Sequence, residues 1–259
     1  MSEPITLNIE NQIARVTFNR PEQHNAISYN GWLKLIEIVN KIEEDSSIRS
    51  VVFSGEGEKA FSAGADIKDF ETHRKDSKTA KTYSTAFDGA LDAIEALSVP
   101  TISMIRGICV GGGCELSMAT DIRIASNKSR FGIPVAKLGI LVGYREMKRL
   151  VNLVGPGNAS YILLSGRLID SAEAFRMGLI TQLVEDSELE ETVLNLANEI
   201  TPLAPLSQKR HKIILQNVIS NQSLDGLDQE LPYTNFDSAD FQEGKEAFIS
   251  RRPPNFKGR

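Results

Sequence analysis

The chain has 259 residues, of which 41% are hydrophobic and 24% are charged, an ordinary composition for a globular protein. The 29 Lys and Arg residues and 34 Asp and Glu residues give a net charge of −5, and this acidic balance argues against a nucleic-acid-binding protein. At roughly 100–200 residues per domain, the length fits one large domain, or one domain with a small appendage.

Other classes of protein are disfavoured by what the sequence lacks. No apolar run approaches the roughly 18–20 residues that span a bilayer, and Met1–Pro4 does not begin the basic-then-apolar pattern of a signal peptide. Cys109 and Cys114 share one short segment, which favours two small buried residues over a disulfide. The histidines are scattered and predict no metal site; they are His24, His73 and His211. We therefore expect a cytoplasmic protein that does not insert into a membrane.

The first half of the sequence alternates between strand and helix patterns. Two short apolar runs joined by Asn11-Gln12 predict a hairpin, and apolar residues at helical spacing follow them. The predicted elements are strands at Ile5–Glu10 and Ile13–Phe18, a helix at Ser28–Glu43, a strand at Arg49–Ser54, a loop from Gly55 to Asp66, a helix at Thr79–Ser98, a strand at Thr101–Ile105, a short helix beginning near Cys114 and a strand at Asp121–Ala125. This alternation is typical of an α/β fold with mainly parallel strands.

Beyond about residue 140 the pattern becomes mostly helical. The predicted elements are helices at Arg145–Val154, Asn158–Ser165 and Ser171–Met177, a strand at Ile180–Val184, and three or four helices between Ser187 and Phe248. The change of pattern near Thr201-Pro202 predicts an α/β core in residues 1–200 and a C-terminal helical region in residues 201–259.

Two segments rich in glycine or other small residues follow predicted strands. They are Ala60–Lys68 and Gly107–Leu116. Taken singly, the first is explained as well by a tight turn without a ligand as by a binding site, and the second as well by close packing of a helix on a sheet. Neither contains a phosphate-binding loop or a dinucleotide fingerprint. Together they could each direct one backbone N–H group at a single oxygen atom, as in an oxyanion hole, with the carboxylate of Glu115 beside it.

Five separated motifs, in order along essentially the whole chain, resemble those of the enoyl-CoA hydratase/isomerase (crotonase) superfamily. They are Val16–Pro21 with Asn25-Ala26; Phe61–Ile67; Gly111–Glu115; Ser165–Arg167 with Ala172–Ala174 and Gly178–Ile180; and Phe241–Gly244 with Ala247-Phe248, Arg251–Pro253 and Asn255-Phe256. The resemblance implies an α/β fold built as a spiral of repeated ββα units with a C-terminal helical domain. It also implies a homotrimer or homohexamer.

The resemblance further implies an acyl-CoA site. The backbone N–H groups of Ala65 and Gly112 would hold the thioester oxygen, and Glu115 would exchange protons with the substrate. Coenzyme A would enter as part of the substrate, with no separate cofactor. Its expected contacts are Ala63, Asp66 and Ile67 through the backbone, Lys68 at a phosphate, and Phe248 and Arg251 from a neighbouring subunit. A solvated surface role for Lys68 and Arg251 stays open.

Two segments depart from the family pattern. The family's second glutamate should follow Phe131–Pro134, where this chain has Val135. A glycine-rich loop is replaced by Val142–Met147, which contains Tyr144, Arg145 and Glu146. Tyr144 or Glu146 would supply a polar group to the pocket in one interpretation. In the other, which the sequence favours, Arg145 and Glu146 begin an exposed helix. Glu115 would then act alone or with an unidentified group.

By resemblance, we expect an enoyl-CoA hydratase. An enoyl-CoA isomerase is one alternative. A decarboxylase of a malonyl-CoA-type substrate is another, since that reaction needs no second carboxylate and the C-terminal motif also resembles methylmalonyl-CoA decarboxylases. A non-catalytic acyl-CoA-binding or RNA-binding relative is a further alternative. The acidic net charge argues against RNA, and the retained Glu115 argues against a purely binding role.

Overall fold

The computed structural model describes residues 3–220 and 226–259. Residues 221–225, which fall within the predicted C-terminal helical region, and Met1 and Ser2 lie outside the described residues. The strands and helices, in chain order, are β1 (Ile5–Glu10), β2 (Ile13–Phe18), α1 (Tyr29–Glu44), β3 (Ser50–Gly55), β4 (Ala60–Ser62), α2 (Phe70–His73), α3 (Ser77–Ala96), β5 (Thr101–Ile105), β6 (Ile108–Val110), α4 (Gly112–Met118), β7 (Ile122–Ser126), β8 (Arg130–Gly132), α5 (Tyr144–Ser165), β9 (Ile169–Asp170), α6 (Ser171–Met177), β10 (Gln182–Val184), α7 (Leu189–Ile200), α8 (Pro205–Ser220), α9 (Gly226–Thr234) and α10 (Ala239–Ile249).

The strands form two sheets. A six-stranded sheet has the order β1-β2-β3-β5-β7-β10; β1 and β2 pair antiparallel as the predicted hairpin, and the other neighbours pair in parallel. A four-stranded sheet has the order β4-β6-β8-β9, with β8 and β9 antiparallel. Each of the pairs β3/β4, β5/β6 and β7/β8 places one strand in each sheet and is followed by a helix. The expected repetition of ββα units is therefore confirmed.

The small sheet was absent from the sequence expectations, since strands of two or three residues are too short to show a periodicity of two. The predicted loop from Gly55 to Asp66 contains β4. Pairing of β4 with β6 brings Ala60 opposite Ile108 and requires two backbones to approach closely beside them. Gly107 permits this approach, because a Cβ atom there would lie 2.2 Å from the Lys59 carbonyl oxygen.

The core lies on both faces of the six-stranded sheet. One face carries α1 and α3, whose apolar sides include Trp32, Leu35 and Leu91. On the other face α7 packs Leu189, Val193 and Ala197 against β-strand side chains. Since burial of apolar area is the main stabilising term, these two layers hold the six-stranded sheet in place. In contrast, α8 contains no buried residue. The boundary near Thr201-Pro202 stays a prediction.

Several predicted elements are confirmed with shifted ends. Helix α3 begins at Ser77, earlier than expected, because Asp76 caps it and forms a capping box with Thr79. The two helices expected at Arg145–Val154 and Asn158–Ser165 are both present within α5, on either side of a kink at Gly155, whose φ of 74° is not helical. The strand expected at Ile180–Val184 is shorter.

Two further sequence expectations concern the cysteines and membrane-spanning helices. Cys109 and Cys114 are both free and buried, as expected. Along residues 3–220 and 226–259, no helix combines the length and apolar character needed to cross a membrane.

Candidate active site

A cavity of about 280 Å³ lies where the loop after β4 meets the start of α4. Ala63, Ala65 and Ile67 line it from the loop, and Gly112 and Glu115 line it from α4. Aromatic side chains close another side, and the segment from Pro134 to Glu146 forms the opposite wall; the aromatic residues are Phe70, Tyr83 and Phe87. The cavity thus combines an apolar interior with a few polar groups, the usual composition of a small-molecule site.

The backbone N–H group of Ala65 faces the cavity side of its loop. Ala65 forms a parallel bridge with Ile27, in which the Ile27 N–H donates to the Gly64 carbonyl (2.8 Å) and the Asp66 N–H donates to the Ile27 carbonyl (2.9 Å). Both of these bonds lie on one side of the loop, so the Ala65 N–H points to the other side. That side holds Gly112, where a Cβ atom would lie 3.3 Å from the Ala65 nitrogen.

The N–H group of Gly112 is free for a different reason. Gly112 is the first residue of α4, and a helix has no internal acceptor for its first N–H groups. Small residues are required here, because a Cβ atom at Gly113 would lie 2.3 Å from the Ser62 carbonyl oxygen. Among the hydrogen bonds of the described residues, neither the Ala65 nor the Gly112 N–H has an acceptor. Two such donors beside one cavity can together bind one oxyanion.

Glu115 lies in the first turn of α4 and is only 6% exposed. Burial raises the pKa of its carboxyl to about 8, the Glu146 carboxylate acts in the same direction, and the Arg74 guanidinium opposes them. The start of a helix favours negative charge, but α4 has only two turns and burial outweighs this effect. Glu115 is therefore protonated at neutral pH and can donate a proton within the cavity.

Arg74 lines the same cavity, and nothing in the sequence pattern pointed to it. Its guanidinium lies 4.8 Å from the centroid of the Phe70 ring and 4.9 Å from that of Tyr83. The Tyr83 hydroxyl accepts a hydrogen bond of 2.8 Å from the Trp32 indole N–H, which fixes the aromatic wall. These contacts hold one positive charge near Glu115 by cation–π interactions.

The sequence expectation of an exposed helix start was wrong for Glu146. Its side chain is 3% exposed and lines the cavity, while Arg145 is exposed and pairs with Asp92. Tyr144 is almost fully exposed and lies outside the cavity lining. Glu146 occupies the third position of α5, where the helix begins at a Gly143 cap, and its carboxylate reaches back over Gly143. The other interpretation, in which Glu146 supplies a polar group to the pocket, is the one that the structure supports.

Arg149 holds the wall that contains Glu146. Its side chain is 7% exposed, and it donates to the Asp92 carboxylate at 2.6 Å and to the Glu95 carboxylate at 2.7 Å. Both acceptors lie on α3, so this network ties α5 to the aromatic wall. The Arg149 guanidinium also donates to the Glu146 carboxylate, at a longer distance of 3.4 Å. No sequence motif marked Arg149, because its partners are distant in the chain.

The other expected site residues are placed as follows. Ala63 and Ile67 line the cavity. The Asp66 side chain is engaged within the protein, with an ion pair to Arg20 (2.8 Å) and a hydrogen bond from the Lys68 N–H (3.1 Å). The remaining three residues are exposed and lie outside the cavity lining; they are Lys68, Phe248 and Arg251. Contact of any of these residues with coenzyme A stays a prediction.

Within the described part of the chain, no three His, Cys, Asp or Glu side chains are grouped so that they could hold a metal ion. The absence of a metal or separate cofactor in the working protein remains an expectation.

Comparison with known proteins agrees with this geometry. The family model for enoyl-CoA hydratase/isomerase matches residues 8–259. A short-chain-enoyl-CoA hydratase of Clostridium acetobutylicum is 34% identical, and a crotonyl-CoA hydratase of Syntrophomonas wolfei is 32% identical, each over 98% of this chain and 98% of the relative. The crystal structure of an enoyl-CoA hydratase/carnithine racemase from Magnetospirillum magneticum superposes with a TM-score of 0.96 at 36% identity, covering 100% of this chain and 97% of that one. The chain therefore belongs to the enoyl-CoA hydratase/isomerase family.

Proposed function

We propose that this protein catalyses the reversible hydration of 2-enoyl-CoA thioesters with a short acyl group. One observation carries the proposal: two backbone N–H groups without acceptors, at Ala65 and Gly112, share a cavity with the buried carboxyl of Glu115. The names of the relatives from Clostridium acetobutylicum and Syntrophomonas wolfei support the same reaction class.

The proposed chemistry follows from these three groups. The Ala65 and Gly112 N–H groups donate to the thioester oxygen, which gains negative charge when water adds to C3 of the enoyl group. Each such donor is worth about 10²- to 10³-fold in rate. The protonated carboxyl of Glu115 then delivers a proton to C2, and in the reverse direction its carboxylate removes that proton.

Coenzyme A enters this scheme as part of the substrate. It lies along the loop of Ala63, Asp66 and Ile67, whose backbone contacts its adenine, and Lys68 meets a phosphate. Phe248 and Arg251 are exposed and lie outside the cavity of their own chain, which is compatible with their covering coenzyme A in a neighbouring subunit. This arrangement requires an oligomer; following the family resemblance, it is a homotrimer or homohexamer, and we place the protein in the cytoplasm.

The alternative of a malonyl-type decarboxylase had two reasons, the C-terminal motif and Val135, which left the family's second carboxylate position apolar. The buried Glu146 removes the second of these reasons, because the cavity contains a second carboxyl group from another position. Hydration accordingly remains the better-supported reaction.

The test is to incubate the purified protein with crotonyl-CoA and to follow the loss of the enoyl-thioester absorbance. The Glu115→Gln variant should lose about 10²- to 10⁴-fold in rate, the usual contribution of an acid–base group. Glu190→Gln, which removes a carboxylate from an exposed ion pair with Arg15, is the matched control and should keep the full rate. Unchanged turnover in Glu115→Gln would overturn its role. Isomerisation of a 3-enoyl-CoA without hydration would favour the isomerase alternative.

A further inference from the structure

We infer that Glu146, which lies outside the family's signature positions, is the second catalytic carboxylate and takes a proton from the attacking water. This inference rests on the proposed hydration reaction. Glu146, in the first turn of α5, takes the catalytic role that the family pattern gives to a glutamate at the position of Val135.

The first argument is the placement of the two carboxyl groups. Glu115 on α4 and Glu146 on α5 line the same cavity, and α4 packs against α5. Glu146 is almost completely withdrawn from solvent, and Val135 lines the same cavity without a polar atom in its side chain. A substrate in this cavity would therefore meet one carboxyl group from each helix.

The second argument is that ion pairing alone does not account for the burial of Glu146. Acidic side chains are rarely fully buried unless they are paired. Arg149, the basic group beside Glu146, already has Asp92 and Glu95 at 2.6 and 2.7 Å, and its contact with Glu146 is longer, at 3.4 Å. The guanidinium would be neutralised without Glu146, so the protein keeps a buried carboxyl group that its ion-pair network does not need.

The third argument is local shape. Gly143 leaves the space that the Glu146 carboxylate occupies, because a Cβ atom there would lie 2.4 Å from Glu146 Oε2. Any larger residue at position 143 would displace the carboxylate from its place at the cavity wall. The glycine and the glutamate thus form one local arrangement that aims a carboxyl group inward from the helix start.

The surrounding charges distinguish the carboxyl groups of Glu115 and Glu146. Burial raises the pKa of both carboxyls, that of Glu115 to about 8. Around Glu146, the Asp88 carboxylate from α3 raises its pKa further, while its own backbone N–H and the guanidinium groups of Arg149 and Arg145 lower it. When two carboxyls share a site they tend to hold one proton between them, and this proton resides on Glu115, which lacks such close donors. Glu146 is then the carboxylate.

The step balances with these two residues and one water molecule. The water oxygen forms a bond with C3 while its proton passes to the Glu146 carboxylate. The π electrons of the C2–C3 double bond move to give an enolate, whose oxygen is held by the N–H groups of Ala65 and Gly112. The enolate carbon C2 takes the proton of Glu115. One proton transfer from Glu146 to Glu115 restores the starting state, and the net change is addition of H and OH.

The test is the Glu146→Gln variant in two assays with the full-length protein. The first is hydration of crotonyl-CoA. The second is exchange of the α-proton of butyryl-CoA in deuterium oxide, which has no water-addition step and needs Glu115 and the two N–H groups alone. We expect hydration to fall about 10²- to 10⁴-fold while exchange continues. Exchange should also extend to lower pH, because loss of the Glu146 charge lowers the pKa of Glu115. The variant should fold, since Arg149 retains Asp92 and Glu95.

Two comparisons keep the inference separate from the proposed function. Glu115→Gln should lose both activities, and the control Glu190→Gln should lose neither. A wild-type protein that hydrates no enoyl-CoA overturns the proposed function itself. A wild-type protein that hydrates crotonyl-CoA while Glu146→Gln does so equally well overturns only the inference. So does a Glu146→Gln variant that melts like wild type but loses exchange as fully as hydration. Partial recovery of hydration when Val135→Glu is added to Glu146→Gln would support it.

Discussion

The two walls of the cavity are built in different ways. The first wall, residues 63–67 and 110–115, presents backbone N–H groups held by short strands and by the start of α4. The second wall, residues 134–149, presents the Glu146 side chain, whose position depends on Arg149 and on two carboxylates of α3. The difference shows that a site made of backbone groups can be recognised from a short sequence motif. A site made by packing a side chain against partners distant in the chain has no such motif.

The second wall can be tested by replacing Arg149, the cation at the centre of its ion pairs. Arg149→Met should lower the free energy of unfolding by about 3–5 kcal/mol, because the buried Glu146 would lose its ion-pair partner and Asp92 and Glu95 would lose theirs. Since Asp92 and Glu95 are partly exposed, the lower end of that range is expected. Urea unfolding followed by circular dichroism measures this change.

Arg145→Met is the matched control for that variant. Arg145 also pairs with Asp92, but its side chain is 60% exposed against 7% for Arg149, so its loss should cost at most about 1 kcal/mol. Equal destabilisation by the two variants would contradict the central role of Arg149 in the second wall.

The first wall can be tested by adding one methyl group at Gly112. Gly112→Ala keeps the backbone N–H but places a Cβ atom 3.3 Å from the Ala65 nitrogen and 3.3 Å from the Phe87 ring, which crowds the space beside the donors. Hydration of crotonyl-CoA should fall about 10²- to 10³-fold, as when one oxyanion donor is lost.

Gly157→Ala provides the comparison for this change. A Cβ atom at Gly157 meets nothing within 4 Å, and Gly157 lies within α5. This variant should keep its rate and gain about 0.4–1 kcal/mol in stability, since alanine reduces the conformational entropy of the unfolded chain. Full activity of Gly112→Ala would show that the thioester oxygen binds elsewhere.

The acid–base division between the walls predicts a pH dependence of the rate. Hydration needs the protonated form of Glu115, whose pKa burial raises to about 8. The rate constant under saturating substrate should therefore fall above about pH 8, by about tenfold per pH unit. Dehydration of 3-hydroxybutyryl-CoA runs through the same pair with its single proton on Glu146, so its rate should fall over the same interval. A hydration rate that stays constant to pH 9 would argue against Glu115 as the acid.

The same raised pKa also predicts that the stability of the protein depends on pH. The folded protein keeps the Glu115 proton up to about pH 8, whereas an ordinary glutamate releases it near 4.5. Stability from this group is full below pH 4.5 and is lost as the pH rises through 8, by at most about 1.4 kcal/mol per pH unit. Glu115→Gln should lack this contribution, so the stability difference from wild type should change between pH 5 and pH 8. Parallel curves for the two proteins would contradict the raised pKa.

Much of the first wall could be predicted from the sequence. The motifs at Phe61–Ile67 and Gly111–Glu115 indicated two turns and a carboxylate, and the structure brings Ala65, Gly112 and Glu115 to one cavity. Glycine and alanine occur at these positions because backbones approach closely there. This need for small residues is visible in a short stretch of sequence. Arg74 and Arg149 could not be found in this way, because each takes its place from rings or carboxylates that no local pattern connects to it.

The sequence by itself determined the long strands and helices, since their apolar periodicity is a property of each segment, and it determined the glycine turns that free two N–H groups. Only the tertiary structure decided the small sheet, whose strands of two or three residues exist because distant backbones pair. It also decided the burial of Glu146. The Arg149 that steadies this wall binds Glu95 and Asp92, 54 and 57 positions away in the chain, and a residue's exposure depends on such neighbours.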